Sequence, residues 1–264
     1  MIPFGTIVHE GSAGVLNPPE NVMERRIALV TGANKGIGLE TVRQLAAKGV
    51  QVILASRDAG KGKDATSGLV AEGLPVEFLQ LDVTDSAGIE RAASEVEKRH
   101  GRLDILVNNA GVFVEKLDLP PSEQTMDSWR RTFDANVFGL IEVTKAFLPL
   151  LRKSKSARIV NVSSRLGSIT DQADPGSPYH DFKVPAYNVS KSAVNAWTVQ
   201  LAHELRSTRI KVNTIHPGHV KTDMGGAGAS MEIVDGARTS VELALIADDG
   251  PNGGFFHLGE RLPW

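Results

Sequence analysis

The 264-residue chain has no cysteine at all. That absence removes disulfides and thiolate chemistry, and it makes a reducing cytoplasm the expected compartment. No stretch approaches the ~18 consecutive apolar residues of a membrane-spanning helix, so no membrane partner is expected. There is no surplus of positive charge either: 29 Lys and Arg stand against 31 Asp and Glu, for a net charge of −2. A polyanion finds no electrostatic footprint there, and nucleic acid is not an expected partner. The first twenty residues lack a basic segment followed by a long apolar one, and they carry Pro3, Gly5, Gly11, Gly14, Pro18 and Pro19. Residues 1–25 therefore read as an irregular N-terminal arm, and not as a signal peptide. What remains, at 41% hydrophobic and 23% charged residues overall, is the composition of an ordinary globular protein. Residues 26–264 are long enough to bury one large core as a single domain.

From Arg26 onward, short β-branched runs alternate with longer amphipathic stretches, and no internal repeat is visible. Strands are expected at Ile27–Val30, Gln51–Ala55, Val76–Leu81, Ile105–Asn108, Arg158–Val162, Arg209–Ile215 and Gly254–His257. Helices are expected around Ile37–Lys48, Gly60–Glu72, Ala87–His100, Met126–Lys153 and Pro185–Arg206. Near-continuous apolar strands suit a parallel sheet covered on both faces. The expected fold is α/β: one Rossmann-like, doubly wound domain with a seven-stranded parallel sheet and helices on both faces. Ligands of such sheets bind beyond the carboxyl ends of the strands, so the residues just after each strand carry the functional signal.

After the first strand comes Thr31-Gly32-Ala33-Asn34-Lys35-Gly36-Ile37-Gly38, running straight into a helix. Its glycines let backbone approach a pyrophosphate at a helix N-terminus, although the same residues also suit a plain tight turn. The second strand ends in Ser56 and Arg57, where an NAD-binding sheet would carry an acidic side chain. With Lys35 as a second cation, that ending favours the 2′-phosphate of NADP, while Asp58 suits a helix cap. Asp82-Val83 and Asn108-Asn109-Ala110-Gly111 follow the third and fourth strands and individually read as turn chemistry. Tyr187 and Lys191, four residues apart, share one helix face. A nearby ammonium favours phenolate and would bring a tyrosine toward the range of efficient proton transfer, though an idle surface pair has the same spacing. Ser164, at the end of the fifth strand, reaches the same sheet edge as a hydrogen-bond donor or as a capping serine. No Gly-x-Ser-x-Gly elbow exists for a hydrolase, and His180, His216 and His219 lack metal-ligand spacing, so no metal is expected. Trp129 and Trp197 fall within amphipathic helices, where core packing is their expected role.

Taken together, Thr31-Gly32-x3-Gly36-x-Gly38, Asn108 to Gly111, Asn136, Ser164, Tyr187-x3-Lys191 and Pro217-Gly218 resemble, in order and approximate spacing, the short-chain dehydrogenase/reductase family. The likeness runs from about Arg26 to the C-terminus and is strongest to the NADPH-dependent carbonyl reductase branch. It implies reversible hydride transfer between NADP(H) and a small carbonyl or alcohol substrate. By that resemblance Tyr187 is the general acid/base, Lys191 holds the nicotinamide ribose and lowers the tyrosine pKa, Ser164 polarises the carbonyl, and Asn136 positions a water. It also implies a cofactor site formed by Gly32, Asn34, Lys35, Gly36, Ile37, Gly38, Ser56, Arg57, Asp82, Val83, Asn109, Ala110, Gly111, Tyr187, Lys191, Pro217, Gly218, Val220 and Thr222. The glycine-rich stretch between Met224 and Met231 reads as a flexible lid. Ser164 and Tyr187 stand further apart than in most members, around an inserted segment Asp171–Lys183, which leaves monomer and homo-oligomer both open. The reading from another class is a catalytically silent NADP-binding sensor, which would have no need of Ser164, Tyr187 and Lys191 together.

Overall fold

Apolar strands flanked by amphipathic helices dictate a layered molecule, and a computed structural model, which describes residues 25–264, shows how the layers assemble. Apart from Arg25, the expected N-terminal arm lies outside the described residues. The strands are β1 (Ile27–Val30), β2 (Gln51–Ser56), β3 (Val76–Gln80), β4 (Ile105–Asn108), β5 (Arg158–Val162), β6 (Lys211–Ile215), β7 (Phe255–His257) and β8 (Glu260–Arg261). Every residue of β1, β4 and β5 is buried, which is why their side chains show no alternation in polarity. The order across the sheet is β3-β2-β1-β4-β5-β6-β7-β8, so it reverses between β1 and β4 and opens a crevice above their carboxyl ends. Val30 sits level with Leu54 on one side and Val107 on the other, which sets the loops after β1, β2 and β4 side by side.

Seven strands are parallel, as expected, and the eighth corrects the count. β8 turns back antiparallel to β7 through Leu258 and Gly259, both with positive φ, the geometry of a two-residue hairpin turn. Its two residues, Glu260 and Arg261, are exposed and polar, so no hydrophobic pattern announces them.

The helices are α1 (Gly36–Ala47), α2 (Ala59–Ala71), α3 (Ser86–His100), α4 (Met126–Phe133), α5 (Gly139–Arg152), α6 (Ile169–Ala173), α7 (Pro185–Glu204) and α8 (Ile233–Ala244). Val42 and Leu45 of α1, Leu69 of α2 and Val241 of α8 cover one face of the sheet. Ile89 and Val96 of α3, Val143 and Phe147 of α5 and Leu201 of α7 cover the other. α8 is absent from the sequence-based expectations, although Ala237, Val241 and Ala244 recur at helical spacing and are all buried. The single helix expected over Met126–Lys153 is two, joined at Asp134–Phe138 by a π-helical turn through which the apolar periodicity runs without a break. Such turns often mark functional positions. Among the described residues no helix is long and apolar enough to cross a membrane.

Beneath the crevice the core is partly polar. Asn108 of β4 donates to Thr144 of α5 and to Asn161 of β5, each at 2.9 Å, and Asn161 donates to Thr198 of α7, also at 2.9 Å. These bonds tie the two central strands to the helices that carry the site. Phe147, fully buried where α5 meets the sheet, is the largest apolar side chain at that junction. Phe147→Ala should lower unfolding stability by about 3–5 kcal/mol, read from the denaturant midpoint with an unchanged slope.

Candidate active site

The carboxyl edge of the sheet collects the loops after β1, β2, β4, β5 and β6. The loop after β1 is shaped by two glycines with positive φ, Gly32 at 62° and Gly36 at 57°. A Cβ on Gly32 would lie 2.8 Å from the Ala110 Cα, and one on Gly38 only 2.4 Å from the Asn109 amide nitrogen. The loop must therefore be glycine to lie against the loop after β4. Asn109 fastens the two together: its side-chain amide donates to the carbonyls of Thr31 at 2.8 Å and Gly32 at 3.2 Å. The Thr31 hydroxyl in turn accepts the backbone N–H groups of Asn109 and Ala110, each at 3.0 Å. At the start of α1 the N-cap residue, Lys35, makes no side-chain cap, and the amides of Ile37 and Gly38 have no acceptor among the described residues. Free amides at a helix N-terminus, approached closely through glycine, form a cradle for phosphate.

At the end of β2, Ser56 is buried and its hydroxyl donates to the Asp58 carbonyl at 3.1 Å, while Arg57 after it is exposed and makes no ion pair among the described residues. Asp58 caps α2 by accepting from the Lys61 amide at 3.0 Å, and that hydrogen bond lowers its pKa. The capping role suggested by the sequence is the one found. Lys35, the second cation expected beside Arg57, is instead paired with Asp223 in the loop after β6, and the contact lowers the Asp223 pKa. Asp82 closes its own turn, accepting from the Thr84 amide at 3.0 Å and hydroxyl at 2.8 Å, while Val83 packs against the core. Thr222 lies 3.3 Å from where a Gly36 Cβ would stand, so the loop after β6 reaches the phosphate cradle. Val220, buried, bridges to Met231 and closes the base of the expected lid. Gly218, with φ of 95°, has the Met231 sulfur 2.4 Å from the place a Cβ would take, which explains glycine after Pro217.

On the other side of the crevice, α7 presents Tyr187 and Lys191. Tyr187 has Ser164 as a neighbour close enough to affect its pKa, and the Ser164 hydroxyl caps the 3₁₀ turn Arg165–Gly167 by accepting from the Leu166 amide at 3.2 Å. Ser164 is thus both a capping serine and a neighbour of the phenol. Lys191 is 4% exposed, donates to the Val162 carbonyl at 2.9 Å, and places its ammonium 5.5 Å from the centre of the Tyr187 ring. Burial holds the Lys191 pKa down at about 8. Burial pushes Tyr187 up to about 12, and the neighbouring Ser164 hydroxyl opposes that rise. Desolvation penalises phenolate more than these neighbours favour it, so Tyr187 is a protonated donor at neutral pH.

Asn136 is buried in the π-helical turn, and its amide closes two bonds with Val112: the carbonyl accepts the Val112 N–H at 2.7 Å and the amine donates to the Val112 carbonyl at 3.0 Å. It also donates to the Ser190 hydroxyl at 3.1 Å. A Cβ on Gly111 would come 3.2 Å from the Asn136 carbonyl oxygen and 3.6 Å from the Lys191 ammonium, so a side chain there would crowd Asn136. The loop after β4 thus touches the glycine loop at Gly32 and approaches Lys191 at Gly111.

Sequence reasoning missed Glu115 and the part played by His216. Glu115 accepts the backbone N–H groups of Ala186 at 2.9 Å and Tyr187 at 2.6 Å. The available signal was negative: α7 opens on Pro185 with no capping side chain at Val184, so its cap had to come from elsewhere in the chain. His216, just after β6, accepts the Arg165 N–H at 3.2 Å on its Nδ1, steadying the turn that carries Ser164. Among the described residues no group of His, Asp and Glu could hold a metal ion.

Comparison with known proteins places these features in context. The sequence model of a family described as short chain dehydrogenase matches residues 26–232. The chain is 32% identical to (+)-neomenthol dehydrogenase of Capsicum annuum, over 91% of this chain and 98% of that protein. It is 35% identical to carbonyl reductase [NADPH] 1 of Mus musculus, over 91% of this chain and 99% of that one. Among solved structures, NADPH-bound carbonyl reductase from chicken fatty liver superposes with a TM-score of 0.80 at 29% identity, covering 92% of this chain and all of that one.

His216 is buried as the neutral imidazole. Desolvation, reinforced by His257 and Arg165, drops its pKa from 6.5 to about 3. The unfolded chain therefore binds a proton that the folded chain refuses, so the stability due to this residue is full above pH ~6.5 and declines as pH falls toward 3. His216→Asn, which keeps an acceptor without the titration, should flatten the acid side of the stability-against-pH curve, measured by urea unfolding across that range.

Proposed function

The chain belongs to the short-chain dehydrogenase family, and from that premise we propose that it is an NADPH-dependent oxidoreductase that interconverts a ketone, aldehyde or quinone with its alcohol, Tyr187 donating the proton. The observation that carries this reading is the buried Lys191 ammonium 5.5 Å from the centre of the half-buried Tyr187 ring, at the same sheet edge as Ser164 and the glycine loop after β1. NADPH, when bound, supplies the hydride. The residues present fit it: the free amides at the start of α1 suit a pyrophosphate, Arg57 suits a 2′-phosphate, and Gly111 leaves room beside Lys191. Gly32, Gly36, Gly38, Ala110, Pro217, Gly218, Val220 and Thr222 would line the rest of that site.

Each side chain then has a physical task. Ser164 and Tyr187 would offer two hydroxyls to the substrate oxygen that gains negative charge during reduction. Tyr187, held neutral by burial, gives its proton to that oxygen. Lys191, charged below about pH 8, stabilises the phenolate left behind and is placed to reach ribose hydroxyls. Asn136, in the π-helical turn, supports the route by which the proton is replaced. A cysteine-free enzyme that uses a reduced nicotinamide suits a reducing compartment such as the cytoplasm. The silent-sensor alternative has no counterpart among the relatives named above.

NADPH consumption against a panel of ketones, aldehydes and quinones tests the activity. Tyr187→Phe keeps the ring and removes the proton, so turnover should fall by ~10²–10⁴ while NADPH still binds; a phenylalanine variant that turns over at the wild-type rate would refute the mechanism.

Cofactor choice makes a second test. Arg57 meets a 2′-phosphate with charge-assisted hydrogen bonds in an exposed setting, which supports roughly 10- to 1,000-fold preference for NADPH over NADH. Replacing Ser56 by Asp and Arg57 by Ala should reverse the preference, read from titrations with both cofactors. An unchanged ratio would show that Arg57 makes no contact with the phosphate.

A further inference from the structure

We propose that Glu115 is a positioning residue for Tyr187, its carboxylate fixing the first turn of α7 on which the proposed proton donor stands. The proposal rests on the reading of Tyr187 given above and adds a residue which that reading does not use. Tyr187 occupies a weak place in its helix. Pro185 has no N–H, Val184 offers no side-chain acceptor, and the amides of Ala186 and Tyr187 fall among those that an α-helix leaves without internal partners. First turns held only by water fray.

Glu115, 8% exposed on the loop after β4, supplies the missing acceptors. One carboxylate oxygen takes the Ala186 N–H at 2.9 Å and the other takes the Tyr187 N–H at 2.6 Å. Using both oxygens fixes orientation as well as distance, and a negative charge at a helix N-terminus has the sign that the helix dipole favours.

The same short loop grips Tyr187 elsewhere. The Phe113 ring meets the Tyr187 ring edge-on at 5.4 Å between centroids. Val112 is locked to Asn136, Asn136 donates to Ser190, and the Ser190 hydroxyl donates to the Tyr187 carbonyl at 2.7 Å. Amide, ring and carbonyl of Tyr187 are thus each held, and all three contacts lead back to residues 112–115. Only the Glu115 contact is charged. Losing it leaves the body of α7 in place and frees the turn that aims the phenol, so the effect belongs in the chemical step rather than in cofactor binding.

The test compares Glu115→Ala and Glu115→Gln with Val96→Ala, a cavity variant in the buried core of α3, remote from the first turn of α7. For Glu115→Ala, kcat should fall about 10- to 100-fold with the KM for NADPH unchanged, and the isotope effect with deuterated NADPH should rise as chemistry becomes rate-limiting. Glu115→Gln, which keeps one acceptor oxygen, should recover part of the loss, whereas Val96→Ala should lose melting temperature and keep its kcat. Wild-type kcat in Glu115→Ala, or an equal kcat loss in Val96→Ala, would overturn the proposal. If the alanine variant does not fold, Glu115→Gln decides, and wild-type kcat there is the refuting result. Should Tyr187→Phe itself remain active, the assignment of the proton donor fails instead, which keeps the two outcomes distinguishable.

Discussion

The clamp between Thr31 and Asn109 joins the two loops from which the rest of the cleft is built. It lies at the one place where strand order reverses, so the loops after β1 and β4 diverge there and would part without a tie. Thr31 presents a carbonyl and a hydroxyl, and Asn109 and Ala110 cover both with three hydrogen bonds. Drawn that close, the backbones exclude side chains at Gly32 and Gly38. The chemistry of the cleft follows: α1 begins with its amides directed outward, Gly111 leaves Asn136 uncrowded, and Val112 meets Asn136 in the π-helical turn.

Two ionisable groups then share a dry environment with opposite consequences. Burial keeps Tyr187 protonated and makes the Lys191 charge harder to hold. Both shifts favour neutral partners, so the free structure is poised with a proton on the phenol and an ammonium easily lost above pH 8. A negative charge forming on the phenol reverses that balance, because it gives Lys191 a partner 5.5 Å from the ring centre.

Those parts of the molecule that repeat a local pattern could be read before folding. The seven parallel strands, the glycine loop, Ser164 and the Tyr187–Lys191 spacing each leave a signature because their function depends on residue type at short range. What escaped was long-range or unpatterned. Glu115 acts across 72 residues through backbone amides, and a carboxylate that meets main chain has no partner to recognise in sequence. β8 is too short and polar to alternate, and the π-helical turn at Asp134–Phe138 preserves the apolar spacing that suggested one continuous helix. The pairing of Lys35 with Asp223 likewise joins residues 188 apart and leaves no local pattern in the sequence.

The bridge between Val220 and Met231 joins the two ends of the segment between them. Its ends are held together by the fold, with Val220 buried against Gly236 of α8, while Gly225, Gly226, Ala227, Gly228, Ala229 and Ser230 contribute little bulk between them. A loop whose ends are already joined grows at low entropic cost, about 0.6 kcal/mol for each doubling of length. New residues inserted there would alter the roof of the cleft and leave the sheet, the phosphate cradle and the Tyr187 turn untouched. The fold thus separates the part that must stay constant for hydride transfer from the part that can be rewritten to admit a different molecule, and a library of substrate ranges can be built on one unchanging catalytic base.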